Sequence, residues 1–119
     1  NLLIWDIRRN LRIESFPIDK AVLQIYFKDV PKKTSNWWFV FDGRQRTDVG
    51  YLDPSLDVDL YIETSLSSLT KIWLGESTPS VEQVTGFFEL NGSQKLIETF
   101  DSWFGSSNFA SIPKLAIAS

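Results

Sequence analysis

The chain has 119 residues, 43% of them apolar and 14% aromatic, with a net charge of −3 and neither histidine nor cysteine. Its length fits one domain around one core, and its charge argues against a broad face that binds phosphate backbones. Without His and Cys the chain cannot build a Ser-His-Asp triad, a zinc site, a disulfide or a thiol redox motif, which leaves carboxylates, Lys, Tyr and Ser as the available catalytic groups.

Residues 1–13 are predicted as a helix. Leu2, Leu3, Asp6, Ile7, Asn10 and Leu11 recur at three- and four-residue spacing, and Arg8, Arg9 and Arg12 gather where the helix dipole favours cations. Ser15-Phe16-Pro17 breaks the pattern. The helix opens abruptly at residue 1 in a chain without Met, so residues 1–14 are expected to join a missing upstream domain to a second domain, residues 15–119.

Four strands are predicted next. In Ala21 to Lys28, Leu23, Ile25 and Phe27 alternate with Val22, Gln24 and Tyr26. In Trp37 to Asp42, Trp37, Phe39 and Phe41 face opposite to Trp38 and Val40, and Asp42-Gly43 signals a hairpin into Gln45 to Leu52. Asp57 to Thr64 sets Val58, Leu60 and Ile62 against Asp57, Asp59, Tyr61 and Glu63, the alternation of a sheet with one buried face.

The period then changes. Ser65 to Leu74 carries Leu66, Leu69, Ile72 and Trp73 on one helical stripe, and Gly75 ends it. Thr78-Pro79-Ser80 starts a short helix, Val81 to Thr85, stopped by Gly86. Phe87 to Leu90 is a fifth strand with the turn Asn91-Gly92 after it. Ser93 caps a last helix whose stripe is Leu96, Ile97, Phe100, Trp103 and Phe104. Strands precede helices here, which predicts an α+β fold: a five-stranded, largely antiparallel sheet with helices packed on one face.

The remaining constellations carry little chemistry. Asp53, Asp57 and Asp59 lack the alternating ligands, central Gly and terminal Glu of a calcium loop and are expected to be solvated carboxylates at the start of a strand. Arg8 with Arg9 and Arg12, Lys32-Lys33, and Arg44 with Arg46 fit helix ends and exposed turns. No metal, cofactor or catalytic residue is expected, no run is long enough to span a membrane, and the lack of Cys agrees with a reducing cytoplasm. Trp38 with Val22, Gln24, Tyr26, Val40 and Tyr61 would give the sheet a half-apolar outer face suited to a second copy or an upstream domain.

The stretch Asp57-Val58-Asp59-Leu60-Tyr61-Ile62, Thr64, the helix Leu66 to Gly75, Ser80-Val81, Gly86, Phe87-Phe88-Glu89-Leu90 and Asn91-Gly92 resembles the second half of sterol-carrier-protein-type lipid-binding domains. It looks closest to the version found behind the winged-helix domain of HxlR-type transcription regulators. Trp5-Asp6-Ile7-Arg8-Arg9 fits their joining helix and Asn36-Trp37-Trp38 their second strand. The resemblance spans nearly the whole chain, most specifically residues 53–104, and contains no catalytic signature.

It implies a non-catalytic domain that holds an apolar molecule, a fatty acid or sterol-like ligand, between sheet and helices as the effector-sensing part of a regulator. The fragment itself would make no contact with nucleic acid. The side chains best placed to line such a gap are Phe39, Leu60, Ile62, Leu69, Ile72, Trp73, Phe87, Phe100, Trp103 and Phe104. The competing expectation is a structural dimerisation or docking module whose core is full.

Overall fold

The computed structural model describes residues 2–12, 16–42, 45–50 and 53–104. Helix α1, Leu2–Asn10, opens the fold. Its buried face is Ile4, Ile7 and Leu11, with Leu3 packed at the flank. The expected stripe through Asp6 and Asn10 is therefore rotated. The rotation leaves Asp6 and Asn10 half-buried at the margin, where Asn10 Nδ2 donates to Asp6 Oδ1 at 3.0 Å.

Strands β1 (Lys20–Phe27), β2 (Asn36–Asp42), β3 (Gln45–Gly50), β4 (Leu60–Thr64) and β5 (Phe88–Gly92) assemble in the order β3-β2-β1-β4-β5. β1 to β3 form an antiparallel meander, with Leu23 opposite Phe39 and Phe39 opposite Val49. The chain then returns to the free edge of β1, where β4 runs parallel to it and pairs Leu23 with Leu60 and Ile25 with Ile62. The sheet is thus mixed, not largely antiparallel. Residues 53–59 carry the chain back across the meander, a crossover that leaves β4 pointing the same way as β1.

β4 also starts later than its alternation predicts. The Asp59 carboxylate accepts from the Val22 backbone N–H at 2.8 Å and the Asp59 N–H donates to the Val22 carbonyl at 2.8 Å, so Asp59 seals the end of β1. Val58 lies outside the strand and is exposed, contrary to its expected inward place. At the neighbouring corner Gly92 has φ +132°, and a Cβ there would collide with the Asp59 carbonyl.

Helix α2, Leu66–Trp73, is capped by Ser65, whose hydroxyl accepts from the Ser68 N–H at 3.0 Å. Gly75, at φ +77°, ends it as its position predicts, with Gly75 N–H donating to Ile72 O and Glu76 N–H to Lys71 O. Helix α3, Pro79–Val84, starts at its Thr78 cap and closes with Gly86 in the same way. The expected last helix is two pieces, α4 (Gln94–Glu98) and α5 (Phe100–Trp103). The break falls at Thr99, whose hydroxyl turns back to the Lys95 carbonyl at 2.6 Å.

Alternation places Ala21, Leu23, Ile25 and Phe27 of β1, Phe39 and Phe41 of β2, Leu60 and Ile62 of β4 and Phe88 of β5 in the core. Ile4, Ile7 and Leu11 of the α1 arm, Leu69, Ile72 and Trp73 of α2, Leu96 of α4, and Phe100, Trp103 and Phe104 at α5 join the same cluster. The other sheet face stays half-exposed. Among the described residues, no helix is long and apolar enough to cross a membrane.

Candidate functional site

The interior is organised around aromatic rings. Phe100 sits at the centre, 4.9 Å from Trp103, 4.7 Å from Phe104 and 5.8 Å from Phe88 between ring centroids. Phe104 reaches Trp73 at 5.0 Å, and Trp103 reaches Phe16 at 5.1 Å, which in turn meets Phe41 at 5.1 Å. Phe39 stacks behind Phe41 at 6.2 Å. The result is one continuous band of rings between sheet and helices, mostly edge-to-face, the geometry that the ring quadrupole favours.

Of the residues expected to line a gap, Phe39, Leu60, Ile62, Leu69, Ile72, Trp73, Phe100, Trp103 and Phe104 are brought together in this buried cluster. Phe87 is not: it is 53% exposed, and Phe88 takes the inward place, opposite Thr64. The cause is parity. β5 begins at Phe88 because Gly86 first turns the chain out of α3, and a shift of one residue in a strand exchanges its faces. Phe16 was also hidden from sequence, since its place beside Pro17 marked it as part of a break. It bridges Phe41 and Trp103.

Two polar links tie α1 to this band. Trp73 is fully buried and its Nε1–H donates to Asp6 Oδ2 at 2.6 Å. At the other end, the Arg12 backbone N–H donates to the Trp103 carbonyl at 3.1 Å. The Arg12 guanidinium donates to the carbonyls of Ser102 at 2.8 Å and Asp101 at 3.0 Å. An arginine thus satisfies carbonyls that the end of α5 leaves open. Trp103 Nε1–H donates internally to the Leu96 carbonyl at 3.3 Å.

No family model matches the chain, and no curated protein matches it. Among solved structures it is similar to UbiJ-SCP2, a ubiquinone synthesis protein, with TM-score 0.60 at 18% identity over 82% of this chain and 85% of that one. It is similar to apo sterol carrier protein 2 from Yarrowia lipolytica, with TM-score 0.56 at 17% identity over 85% of each chain. The fold is the sterol-carrier fold. The stereoselective inverting sec-alkylsulfatase Pisa1 from Pseudomonas sp. contains it too, with TM-score 0.63 at 18% identity over 85% of this chain. The present chain spans only 15% of that enzyme.

Within this sterol-carrier fold, charge sits at the margins. Glu82 is the exception: it is buried, and its carboxylate accepts from Ser68 Oγ at 2.6 Å and Ser77 Oγ at 2.5 Å. These two hydrogen bonds, with a smaller contribution from Lys71, hold its pKa below the usual carboxylate value against the opposing effect of burial. The pair fastens α3 to α2 and to the loop between them. Nothing in the sequence pattern marked Glu82, because its partners lie fourteen residues before it and five before it in a stretch rich in Ser and Thr.

The outer face of the sterol-carrier sheet carries Val22, Gln24, Tyr26, Trp38, Val40 and Tyr61, all half-buried, while Trp37 packs on the core side as its alternation predicts. Gln24 Nε2–H donates to Asn36 Oδ1 at 3.0 Å across β1 and β2. Tyr61 has a raised pKa, chiefly from burial and then from Glu63 and Tyr26. Asp53 and Asp57 are exposed, and Asp53 Oδ1 accepts from the Ser55 N–H at 2.8 Å in a local turn. Among the described residues, no group of three His, Cys, Asp or Glu side chains converges as a metal site would require.

Proposed function

We propose that this chain is a non-catalytic binding domain for an apolar small molecule, a fatty acid or sterol-like ligand. The observation that carries the proposal is the continuous ring band between sheet and helices, Phe39–Phe41–Phe16–Trp103–Phe100–Phe104–Trp73, in a sterol-carrier fold. Binding parts the rings of α2 and α5 from the sheet. Leu60, Ile62, Leu69 and Ile72 supply apolar walls, and the nearby indole N–H groups of Trp73 and Trp103 already donate to Asp6 and to the Leu96 carbonyl.

The finer proposal is that the domain is the effector-sensing part of a cytoplasmic transcription regulator of the HxlR type. The resemblance of Trp5-Asp6-Ile7-Arg8-Arg9 to the joining helix supports it, and so do the two polar links from α1 to the ring band. A ligand that moves Trp73 or α5 changes the bonds of Asp6 and Arg12, so occupancy is expressed as a shift in how α1 is held.

The test is native mass spectrometry of protein purified from cells, followed by tryptophan-fluorescence titration with fatty acids and sterols. Saturable quenching is the expected outcome. Absence of any bound species together with absence of saturable quenching sinks the proposal. A docking role has its own observation in its favour, the half-apolar outer sheet face with Trp38 at its centre.

A further inference from the structure

Helix α3 is inverted relative to an ordinary surface helix. It buries Glu82 and turns its valines outward, with Val81 55% exposed and Val84 88% exposed. A surface helix normally hides its apolar stripe and shows its charges. Val81 and Val84 lie three residues apart, which puts them side by side on one helical face.

Phe87 belongs to the same tip. The Gly86 N–H donates to the Gln83 carbonyl and the Phe87 N–H to the Glu82 carbonyl, with Gly86 at φ +81°. This is a Schellman ending, which hydrogen-bonds the residue after the glycine directly to the last turn of the helix. Phe87 nevertheless remains 53% exposed. Its neighbour Phe88 is buried and touches Phe100, so the tip is continuous through two successive residues with the ring band.

We propose that Val81, Val84 and Phe87 seat this domain on a lipid surface. The size of the patch selects the occupant. Three side chains offer on the order of a few hundred Å², whereas a stable protein–protein interface buries about 800 Å² on each partner. Shallow, reversible insertion into the boundary between headgroups and acyl chains scales with the apolar area buried and suits a small tip of this kind. The rim selects the kind of lipid. The Lys28 ammonium lies 3.0 Å from the Gly86 carbonyl and 3.5 Å from the Glu63 carboxylate, so both signs of charge border Phe87. With a net charge of −3 the chain has no long-range attraction to an anionic surface. A zwitterionic phosphatidylcholine surface fits, and the binding is apolar and insensitive to salt. The choice of lipid as occupant rests on the ligand-binding proposal, since a bilayer is where a fatty acid or sterol is taken up.

The test is flotation of the full chain with phosphatidylcholine vesicles at low and high salt. Wild type floats equally at both. Val84→Asp and Phe87→Asp lower the partition coefficient by about tenfold or more, while Val84→Leu retains it. Val84 is too exposed for its replacement to disturb the core, and circular dichroism checks that each variant is folded. Wild type that stays with the protein fraction, or Asp variants that float like wild type, overturn the proposal. So does a dimer by light scattering that Val84→Asp converts to monomer, which would make the tip a contact between copies. Fatty-acid quenching measured without vesicles separates the two claims: ligand binding without flotation removes the tip alone, and flotation without ligand binding removes the ligand site alone.

Discussion

The Asp6–Trp73 hydrogen bond is the most exacting test of how α1 is held. Trp73 is fully buried, so removing its acceptor leaves an indole N–H without a partner in the core. Such a group costs about 1–3 kcal/mol, towards the upper end where the lost partner is charged. Asp6 also accepts from Asn10, and lies 3.8 Å from the largely exposed Arg9 guanidinium. An exposed ion pair of that kind contributes about 0–1 kcal/mol, too little to mask the main effect. Asp6→Ala is therefore expected to lower stability by about 2 kcal/mol, and 1 kcal/mol moves the Tm of a domain of this size by about 4 °C.

Urea denaturation followed by circular dichroism measures the change without relying on tryptophan emission. Asp6→Asn keeps an acceptor and should lose less. Trp73→Phe removes the donor at the cost of a cavity, so a double-mutant cycle of Asp6→Ala with Trp73→Phe isolates the bond and should give a coupling of about 1–2 kcal/mol. An Asp6→Ala protein within about 0.5 kcal/mol of wild type, or strictly additive effects in the cycle, would refute the reasoning.

Three further outcomes follow from particular contacts. Glu82 has its folded pKa lowered, so its contribution is complete above the ordinary carboxylate value and is lost as pH falls through the lowered one; urea melts between pH 7 and pH 2 should show an acid limb that Glu82→Gln makes shallower. Phe88→Ala should cost about 3–5 kcal/mol and Phe87→Ala less than about 0.5 kcal/mol, a contrast that thermal melts resolve and that equal losses would contradict. If the outer sheet face pairs two copies, light scattering gives a dimer that Trp38→Ala dissociates, and a wild-type monomer excludes that pairing.

Local pattern carried much of the fold. Alternation located β1 and β2 within a residue or so, because both strands bury one face and the side-chain period of a strand is two. Gly75 and Gly86 marked helix ends because each adopts a positive φ that other residues avoid. The direction of β4 was out of reach: it pairs with β1, Leu23 opposite Leu60, through a contact between residues far apart in the chain that no local period encodes. Phe87 and Phe88 show the same limit at small scale. In a doublet of identical residues, only the start of the strand decides which ring is buried, and that start depends on how α3 closes. The ring band was legible as a set of apolar positions, but its continuity depends on Phe16, which local pattern assigned to a break.

The two inward-acting polar groups, Asp6 and Glu82, were invisible for a common reason, and it bears on function. Each is a carboxylate with a partner on another helix or the loop leading to it, so each adds a polar link to an element held largely by apolar packing. Asp6 fastens α1 to the indole of Trp73, and Glu82 fastens α3 to α2. Apolar contacts are non-directional, whereas a hydrogen bond weakens as its angle as well as its length departs from the preferred geometry. The helix that carries Trp73 is thus fixed at both of its neighbours by bonds that respond sharply to displacement. Under the proposed binding role, a ligand that moved α2 would disturb at least one of them, and the other ends of those bonds are α1 and α3.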